Sequence, residues 1–163
     1  MTSATVDTAI GTLGVVASGD GLRRVLLPGR AEPVTDGERG EAAARAREAA
    51  SQLREYASGE RRGFEVELDW SGVDARHRRV LEALVQAAPF GRTVTYGELG
   101  RLAGEDDPRE IGIMMARNPL PLVVPCHRVV AADGLGGFGG GLDLKRRLLE
   151  LEGILPPRLS DEF

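Results

Sequence analysis

The chain has 163 residues, of which 42% are hydrophobic, and a formal net charge of −4. This length supports one moderate domain or two small ones. The negative charge argues against a protein that coats nucleic acid non-specifically, though not against a local basic face. One cysteine and two histidines exclude a disulfide scaffold, fit a reducing compartment and cannot supply a structural zinc site. The N-terminus lacks a basic segment followed by an apolar one, and no apolar run reaches membrane-spanning length, so the sequence predicts a cytoplasmic protein without a membrane partner.

The first half of the chain predicts a small sheet with one helix. Short β segments separated by glycines are predicted at residues 5–6, 12–17 and 22–27. A polar loop is expected at 29–40 and an Ala- and Arg-rich helix at 41–57, followed at 64–70 by the clean alternation of a half-buried strand. This half carries no residue pattern that indicates a functional site.

The second half is mainly helical. Residues 80–88 predict a helix that carries Leu81, Leu84 and Val85 on one face. Thr95 and Glu98 match a capping box that starts a short helix reaching about Leu102. A link containing Gly104 leads to a second helix, for which Asp107 and Pro108 form the start signal.

Two short helices joined by a Gly-containing turn outline a helix-turn-helix, although paired short helices are also common in proteins that do not bind DNA. On the second helix Ile111, Met114 and Met115 share a face that we expect to be buried. The opposite face presents Arg109, Gly112, Ile113 and Ala116. Small residues around one arginine suit close approach to a nucleic-acid groove, or form an ordinary solvent face.

Residues 134–139 read G-x-G-x-x-G, but the context of a dinucleotide-binding fold is missing. The preceding apolar segment is short, and no second strand with an acidic residue follows about twenty positions later. We therefore expect a flexible glycine loop that closes over a pocket beside Cys126.

Cys126, the only cysteine, is followed directly by His127, between apolar residues. An unassisted thiol is only roughly 3% thiolate at neutral pH, and a neighbouring base is the usual way to activate it. The alternative is a buried structural cysteine. Because adjacent residues of an extended chain point to opposite sides, contact between the two side chains requires a bend or a bridging water.

A helix is predicted at 144–152, with Glu152 inside its apolar arc between Leu148 and Leu149. A carboxylate facing the core needs a partner. His127 is the candidate, and Arg128 would serve equally if it faced inward. A Cys126–His127–Glu152 relay is then expected; the alternative is a Glu152 at the helix edge, capped by water.

The segment from Phe90 to Gly153 resembles the O6-alkylguanine-DNA alkyltransferases, also called methylated-DNA–protein-cysteine methyltransferases. The most specific matching motif is Pro125-Cys126-His127-Arg128-Val129, and the other matching pieces are Gly91-x-x-x-Thr95-Tyr96-Gly97-Glu98-Leu99, Arg109, Asn118-Pro119, Gly140-Gly141-x-x-x-Lys145 and Leu148-Leu149-x-x-Glu152-Gly153. The N-terminal half is compatible with the variable β domain of that family.

The resemblance implies a role for each matching residue. Cys126 would accept the alkyl group, activated through water by His127, which Glu152 holds. Asn118 would tie the segment before the cysteine to the helix-turn-helix, and Tyr96 would donate a hydrogen bond to the guanine ring. The implied pocket consists of Met115, Pro121, Val129, Phe138 and Gly139, with the carbonyls of Cys126 and Val129 facing the exocyclic amine.

The resemblance also implies that the helix-turn-helix enters the minor groove, with contacts from Thr95, Arg109, Gly112 and Ala116, and that Arg109 replaces the flipped nucleotide. The chain departs from the family pattern at Phe138, where a hydroxylated aromatic is common, and at Gly139, where serine is common. Glu110, Ile113 and the acidic link at 105–107 are expected to weaken DNA affinity or to change the approach to DNA.

The expected fold is mixed α/β, with an N-terminal sheet-plus-helix domain at residues 1–72 and a helix-turn-helix catalytic domain at 73–163. The expected function is single-turnover transfer of an alkyl group from O6-alkylguanine in double-stranded DNA to Cys126, without a cofactor, by a monomer for which association along DNA is left open. Two alternatives remain: a non-enzymatic binder or regulator on alkylated DNA that retains this fold, and a cysteine hydrolase that uses the same relay.

Overall fold

The computed structural model describes residues 1–32 and 40–157, and it confirms a mixed α/β fold built from a small antiparallel sheet and helices. Strands β1 (Thr2–Thr8), β2 (Gly11–Ala17) and β3 (Leu22–Leu26) pair antiparallel in chain order. The predicted β segments are therefore confirmed, the first of them longer than expected. The part of the predicted polar loop at 33–39 lies outside the described residues.

Helix α1 (Glu41–Ala57) has the predicted bounds and packs on the sheet. Its buried face is made of small residues in the first three turns and of Leu53 and Tyr56 near its end, both fully buried. Small residues allow the helix backbone to approach the sheet closely. The two large side chains extend the contact toward the second half of the chain.

The strand predicted at 64–70 is wrong as a strand, although its alternation is real. Phe64, Val66 and Leu68 are half-buried while Glu65 and Glu67 are exposed, but only an isolated bridge joins Leu68 to Leu22. The Gln52 side chain accepts from the Glu65 N–H at 2.8 Å and donates to the Glu65 carbonyl at 3.1 Å. Because this side chain takes the place of a neighbouring strand, the segment is extended without a ladder.

Up to residue 157, the second half contains four α-helices: α2 (Ala75–Ala87), α3 (Tyr96–Ala103), α4 (Pro108–Ala116) and α5 (Leu142–Leu151). Helix α2 starts earlier than predicted because Asp74 caps it, accepting from the His77 N–H at 2.8 Å. On the face that carries Leu81, Leu84 and Val85, the two leucines are fully buried, whereas Val85 is 41% exposed. The capping box of Thr95 and Glu98 is confirmed.

A two-residue parallel pair, β4 (Val94–Thr95) with β5 (Val129–Val130), connects the start of α3 to the segment after Cys126. The sequence analysis missed it because two residues are too few to show a period. Buried residues from both sides of residue 72 belong to one continuous core; the division into domains at 1–72 and 73–163 stays a proposal. Within the described ranges, no helix is both long and apolar enough to cross a bilayer.

Candidate active site

Cys126 lies at the start of a single 3-10 turn (Cys126–Arg128) that enters β5 directly. This turn supplies the bend that the sequence required between Cys126 and His127, because successive side chains of a 3-10 turn do not alternate as they do in a strand. Cys126 is 6% exposed and lines two adjoining cavities of about 390 and 180 Å³. The thiol is therefore largely buried, but it borders space that a small group can enter.

His127 and Glu152 form the contact expected from helical spacing. The His127 Nε2 atom lies 2.6 Å from Glu152 Oε2, and both side chains are fully buried. Because a carboxylate only accepts hydrogen bonds, this contact places the proton of a neutral imidazole on Nε2. The His127 Nδ1 atom is buried and has no hydrogen-bond partner within the described part of the chain, so it is available as an acceptor.

Arg128 also faces inward, so the two partners considered for Glu152 both bind it. Arg128 Nε donates to Glu152 Oε1 at 2.7 Å, and Nη2 donates to Oε2 at 3.0 Å. Its third nitrogen, Nη1, donates to the Ala88 carbonyl at 2.9 Å. The N–H of Gly91 adds a further bond to Oε1 at 3.2 Å. Glu152 itself follows the last turn of α5 and is 5% exposed.

Burial and these contacts shift the pKa values of the three relay groups. Burial raises the pKa of the Cys126 thiol, against smaller opposing effects of the Asn118 side chain and the Lys145 charge. Burial lowers the pKa of His127, and the hydrogen bond that His127 donates to Glu152 acts in the opposite direction. Burial alone would raise the pKa of Glu152, but the hydrogen bonds from His127, Arg128 and Tyr56 together lower it to about 2. At neutral pH the acid is thus a carboxylate.

The larger cavity gathers predicted residues from both the pocket and the DNA-binding set. Its lining consists of Tyr96, Gly112, Met115, Ala116, Cys126, Gly137, Phe138 and Gly139. The expectation of a glycine loop beside Cys126 agrees with this geometry. Gly136 has a φ of +73°, and a Cβ there would come within 2.8 Å of the Tyr96 ring, so the close approach of loop and ring requires glycine.

The glycine loop is attached to the rest of the protein by two cationic side chains. The fully buried Lys145 donates from Nζ to the carbonyls of Val129 at 2.6 Å and Gly137 at 3.0 Å. Arg30, which follows β3, donates to the Gly139 carbonyl at 3.0 Å. Val129 is fully buried and does not line either cavity, since it pairs with Val94 and its carbonyl receives Lys145. The geometry therefore does not support its expected place in the pocket wall.

Asn118 connects the helix-turn-helix to the chain before Cys126. Its Nδ2 donates to the Val124 carbonyl at 2.9 Å and its Oδ1 accepts from the Leu120 N–H at 2.9 Å. Asn118 and Pro121 line the smaller cavity together with Cys126. The side chain thus fixes the turn that leads into the thiol.

Helix α4 presents the expected surface. Ile111, Met114 and Met115 are buried, whereas the Arg109 side chain is 90% exposed and Ala116 is exposed. Gly112 is half-buried. Thr95 is half-buried at the start of α3, and its hydroxyl is engaged with Glu98.

In the acidic link before α4, Glu105 has cationic partners on α2, and Asp107 accepts from Arg109 Nε at 3.4 Å. Glu105 accepts two hydrogen bonds of 2.8 Å from Arg76 and one of 3.2 Å from Arg79. Glu110 lies 3.8 Å from Arg76, and Asp107 caps α4. Arg76 and Arg79 belong to α2, so sequence reading along the link could not show the compensation.

Three residues at the site were missed or left open by the sequence analysis: Tyr56, Arg128 and Lys145. Tyr56, the last large residue of α1, donates from its hydroxyl to Glu152 Oε2 at 2.5 Å. No local signal marks this contact, because 96 residues separate the partners. A lysine on the apolar face of the predicted helix at 144–152 was the available signal for Lys145.

Comparisons with known proteins agree with this geometry. Residues 75–154 match the model of the family described as 6-O-methylguanine DNA methyltransferase, DNA binding domain. A methylated-DNA–protein-cysteine methyltransferase of Methanopyrus kandleri is 52% identical over 101 residues, which cover 60% of this chain and 76% of that protein. The protein of the same name from Mycobacterium leprae is 46% identical over 107 residues, 64% of each chain.

A solved structure matches the chain over both of its halves. The crystal structure of Mycobacterium tuberculosis OGT in complex with DNA superposes with a TM-score of 0.76 at 35% identity, covering 92% of this chain and 91% of that chain. The similarity therefore includes both the sheet-containing half and the helical half.

Proposed function

Because the chain belongs to the O6-methylguanine-DNA methyltransferase family, whose members carry out DNA repair by transferring an alkyl group from DNA to a protein cysteine, we propose that Cys126 is the acceptor of that group. The observation that carries the proposal is the buried contact of 2.6 Å between His127 and Glu152 immediately beside the only cysteine. The thiol borders the cavity lined by Tyr96 and Phe138, which can receive an extruded base.

Activation of the thiol follows from the arrangement of protons. With Nε2 of His127 bound to Glu152, Nδ1 is the free acceptor, and it takes the Cys126 proton through a bridging water. The adjacent carboxylate, with a pKa of about 2, stabilises the imidazolium that forms. This compensates for burial, which on its own raises the pKa of the thiol.

The transfer is a single displacement at the alkyl carbon. The thiolate sulfur forms a bond to that carbon while the bond from the carbon to guanine O6 breaks, and its electron pair stays on the guanine. The Tyr96 hydroxyl stabilises the negative charge that develops on the guanine ring. The thiol has lost one proton, and the guanine takes up one proton when it leaves, so the overall charge is unchanged. The product is a thioether that water does not readily hydrolyse, so each molecule acts once.

We propose duplex DNA containing O6-alkylguanine as the substrate, with α4 at the minor groove and Arg109 in the place of the extruded nucleotide. The exposed Arg109 side chain and the open faces of Gly112 and Ala116 support this orientation. Because Arg76 and Arg79 of α2 compensate Glu105, the acidic link gives weaker support to a non-enzymatic DNA binder. We further propose a monomer in the cytoplasm, where a reducing environment keeps the acceptor thiol free.

The test is stoichiometric methylation. Incubation with duplex DNA containing O6-methylguanine should add the mass of one methyl group to the peptide with Cys126, and the reaction should stop after one equivalent. Cys126→Ser is the matched control and should acquire no adduct. An unmodified native protein, in reduced and folded form, contradicts the proposal; sustained turnover of an ester would instead indicate a hydrolase.

A second experiment separates the chemistry from DNA recognition. Arg109→Ala should lose most of its transfer rate on duplex DNA but keep the native rate toward the free base O6-methylguanine, because the variant leaves the Cys126 cavity unchanged. Equal losses on both substrates contradict the role given to Arg109. Arg146→Ala, on the exposed part of α5, is the control for a general loss of positive charge.

A further inference from the structure

Tyr56 is the one side chain from α1 that reaches the relay. It is fully buried, its hydroxyl donates to Glu152 Oε2 at 2.5 Å, and the same hydroxyl lies 3.4 Å from His127 Nε2. Its ring packs on Phe64, with 5.4 Å between the ring centroids. The first half of the chain thus supplies a polar atom to a site whose other members lie beyond residue 90.

Oε2 of Glu152 is shared among several donors. It accepts hydrogen bonds from the Tyr56 hydroxyl, His127 Nε2 and Arg128 Nη2. Oε1 accepts from Arg128 Nε and from the Gly91 N–H. Two carboxylate oxygens offer about four lone-pair positions, so this shell is saturated. Each donor reduces the negative charge that remains for the others, and Tyr56 and His127 compete for the same oxygen.

Tyr56 stays a donor over the working range of pH. Burial, followed by the charge of Glu152, raises the pKa of Tyr56 well above its usual range, so the phenol keeps its proton. The charged and titratable groups around His127 and Glu152 are Arg128, Lys145, Cys126 and Tyr56. Among these side chains, Tyr56 is the neutral donor that can be removed without removing a formal charge.

We propose that Tyr56 is a positioning residue for the alkyl transfer: its hydroxyl holds the Glu152 carboxylate in place and limits how strongly that carboxylate stabilises protonated His127. The inference rests on the proposed role of His127 and Glu152 in activating Cys126. It assigns to the first half of the chain a direct part in setting the pH range in which the thiol reacts.

Removal of the Tyr56 hydroxyl should change the pH dependence of Cys126 reactivity, and not only the stability of the fold. When the hydroxyl is removed, Glu152 directs more of its charge to His127, imidazolium forms more readily, and the thiolate is populated at lower pH. For Tyr56→Phe we expect the midpoint of the pH profile of Cys126 reactivity to move down by about 0.5–1 pH unit. Affinity for duplex DNA should stay native, because Tyr56 lies in the core.

The experiment measures the rate of Cys126 alkylation by iodoacetamide from mildly acidic to alkaline pH, at intervals well below the expected shift of the midpoint. Phe64→Leu is the matched control: it disturbs the packing of the Tyr56 ring but leaves the hydroxyl bond to Glu152. A downward shift in Tyr56→Phe that is absent in Phe64→Leu supports the proposal. An unmoved midpoint in Tyr56→Phe, or an equal shift in both variants, overturns it.

A second measurement keeps the proposal testable if Tyr56→Phe does not fold. The chain has only two tyrosines, so 3-fluorotyrosine incorporated into Tyr96→Phe labels Tyr56 alone. A more acidic phenol is a stronger donor to Glu152, and the midpoint should then rise relative to unlabelled Tyr96→Phe. A fall or no change overturns the proposal. Iodoacetamide reacts with Cys126 without any alkylguanine, so the two proposals can fail separately. A shifted midpoint without any methyl adduct from DNA would support the effect of Tyr56 on Cys126 and contradict the proposed function.

Discussion

At the scale of single residues, Glu152 organises the buried polar groups around Cys126. Its position inside the apolar arc of α5 could be predicted from helical spacing, and because a carboxylate facing the core needs a partner, His127 and Arg128 are both candidates. The bond from Tyr56, and the simultaneous bonds from His127 and Arg128, could not be predicted. They depend on the approach of α1 and on the 3-10 turn at Cys126, neither of which has a period in the sequence.

Lys145 carries a prediction about the glycine loop. Burial lowers its pKa to about 8, and its ammonium group still binds the carbonyls of Val129 and Gly137. Lys145→Met keeps the length of the side chain but leaves both carbonyls without this donor. We expect the free energy of unfolding to fall by about 1–3 kcal/mol, measured by urea denaturation, and the loop at 134–141 to be cleaved faster by a protease.

Arg146→Met is the control on the same helix. Among the described residues, the partly exposed Arg146 side chain forms an ion pair with Glu150 one turn along the same helix. The variant should change the unfolding free energy by less than about 0.5 kcal/mol. Native resistance of the loop in Lys145→Met would show that other contacts, such as the Arg30 bond to Gly139, hold it in place.

At the scale of elements, the helix-turn-helix depends on how closely α3 and the link to α4 approach each other. The Glu105 N–H donates to the Gly100 carbonyl at 2.7 Å, and Ile111 packs nearby. A Cβ at Gly100 would lie 2.7 Å from the Glu105 carbonyl oxygen, closer than any ordinary contact. The small residue is therefore required by packing between two elements.

Gly100→Ala should destabilise this turn and displace α4. We expect the unfolding free energy to fall by about 1–3 kcal/mol, because backbone and not a flexible side chain must move, together with a loss of DNA affinity measured by fluorescence anisotropy. Gly97→Ala in the same helix is the control, as its Cβ would make only an ordinary contact of 3.5 Å with Arg101. Equal stabilities of the two variants would refute the packing argument.

At the scale of the whole molecule, polar contacts near the site join the two halves of the chain. The Val25 N–H donates to the Pro119 carbonyl at 2.9 Å, Arg30 reaches Gly139, and Tyr56 reaches Glu152. The continuous apolar core extends across the same boundary. Changes at the relay are therefore expected to affect the stability of the entire chain.

Lowering the pH should destabilise the entire chain through the buried groups of the relay. The folded pKa of Glu152 is about 2, below its ordinary value of 4.5, so its contribution is present above pH 4.5 and is lost as the pH falls from 4.5 toward 2. His127 acts in the same direction: its pKa is lowered by burial, so the unfolded chain takes up a proton first as the pH falls below 6.5. We expect the unfolding free energy to decline gently below pH 6.5 and steeply below 4.5, measured by urea denaturation at each pH.

Glu152→Gln provides the comparison for that curve. It should be less stable than the native chain by about 3–5 kcal/mol at neutral pH, because Arg128 loses its buried counter-charge. Its stability should then depend less on pH below 4.5. Parallel curves for the two proteins would mean that other carboxylates, such as Asp69, dominate the acid transition.

The sequence by itself determined the helices, the β segments of the three-stranded sheet, the exposed and buried faces of α4, and the place of Glu152 on the apolar face of α5, because each follows from short-range periodicity or capping. Only the tertiary structure decided that segment 64–70 is no strand, that α2 compensates Glu105, that His127 and Arg128 both bind Glu152, and that Tyr56 and Lys145 bind at the site. Those features arise where distant parts of the chain satisfy each other's polar groups. Packing of the whole chain selects such pairs, and no local pattern encodes them.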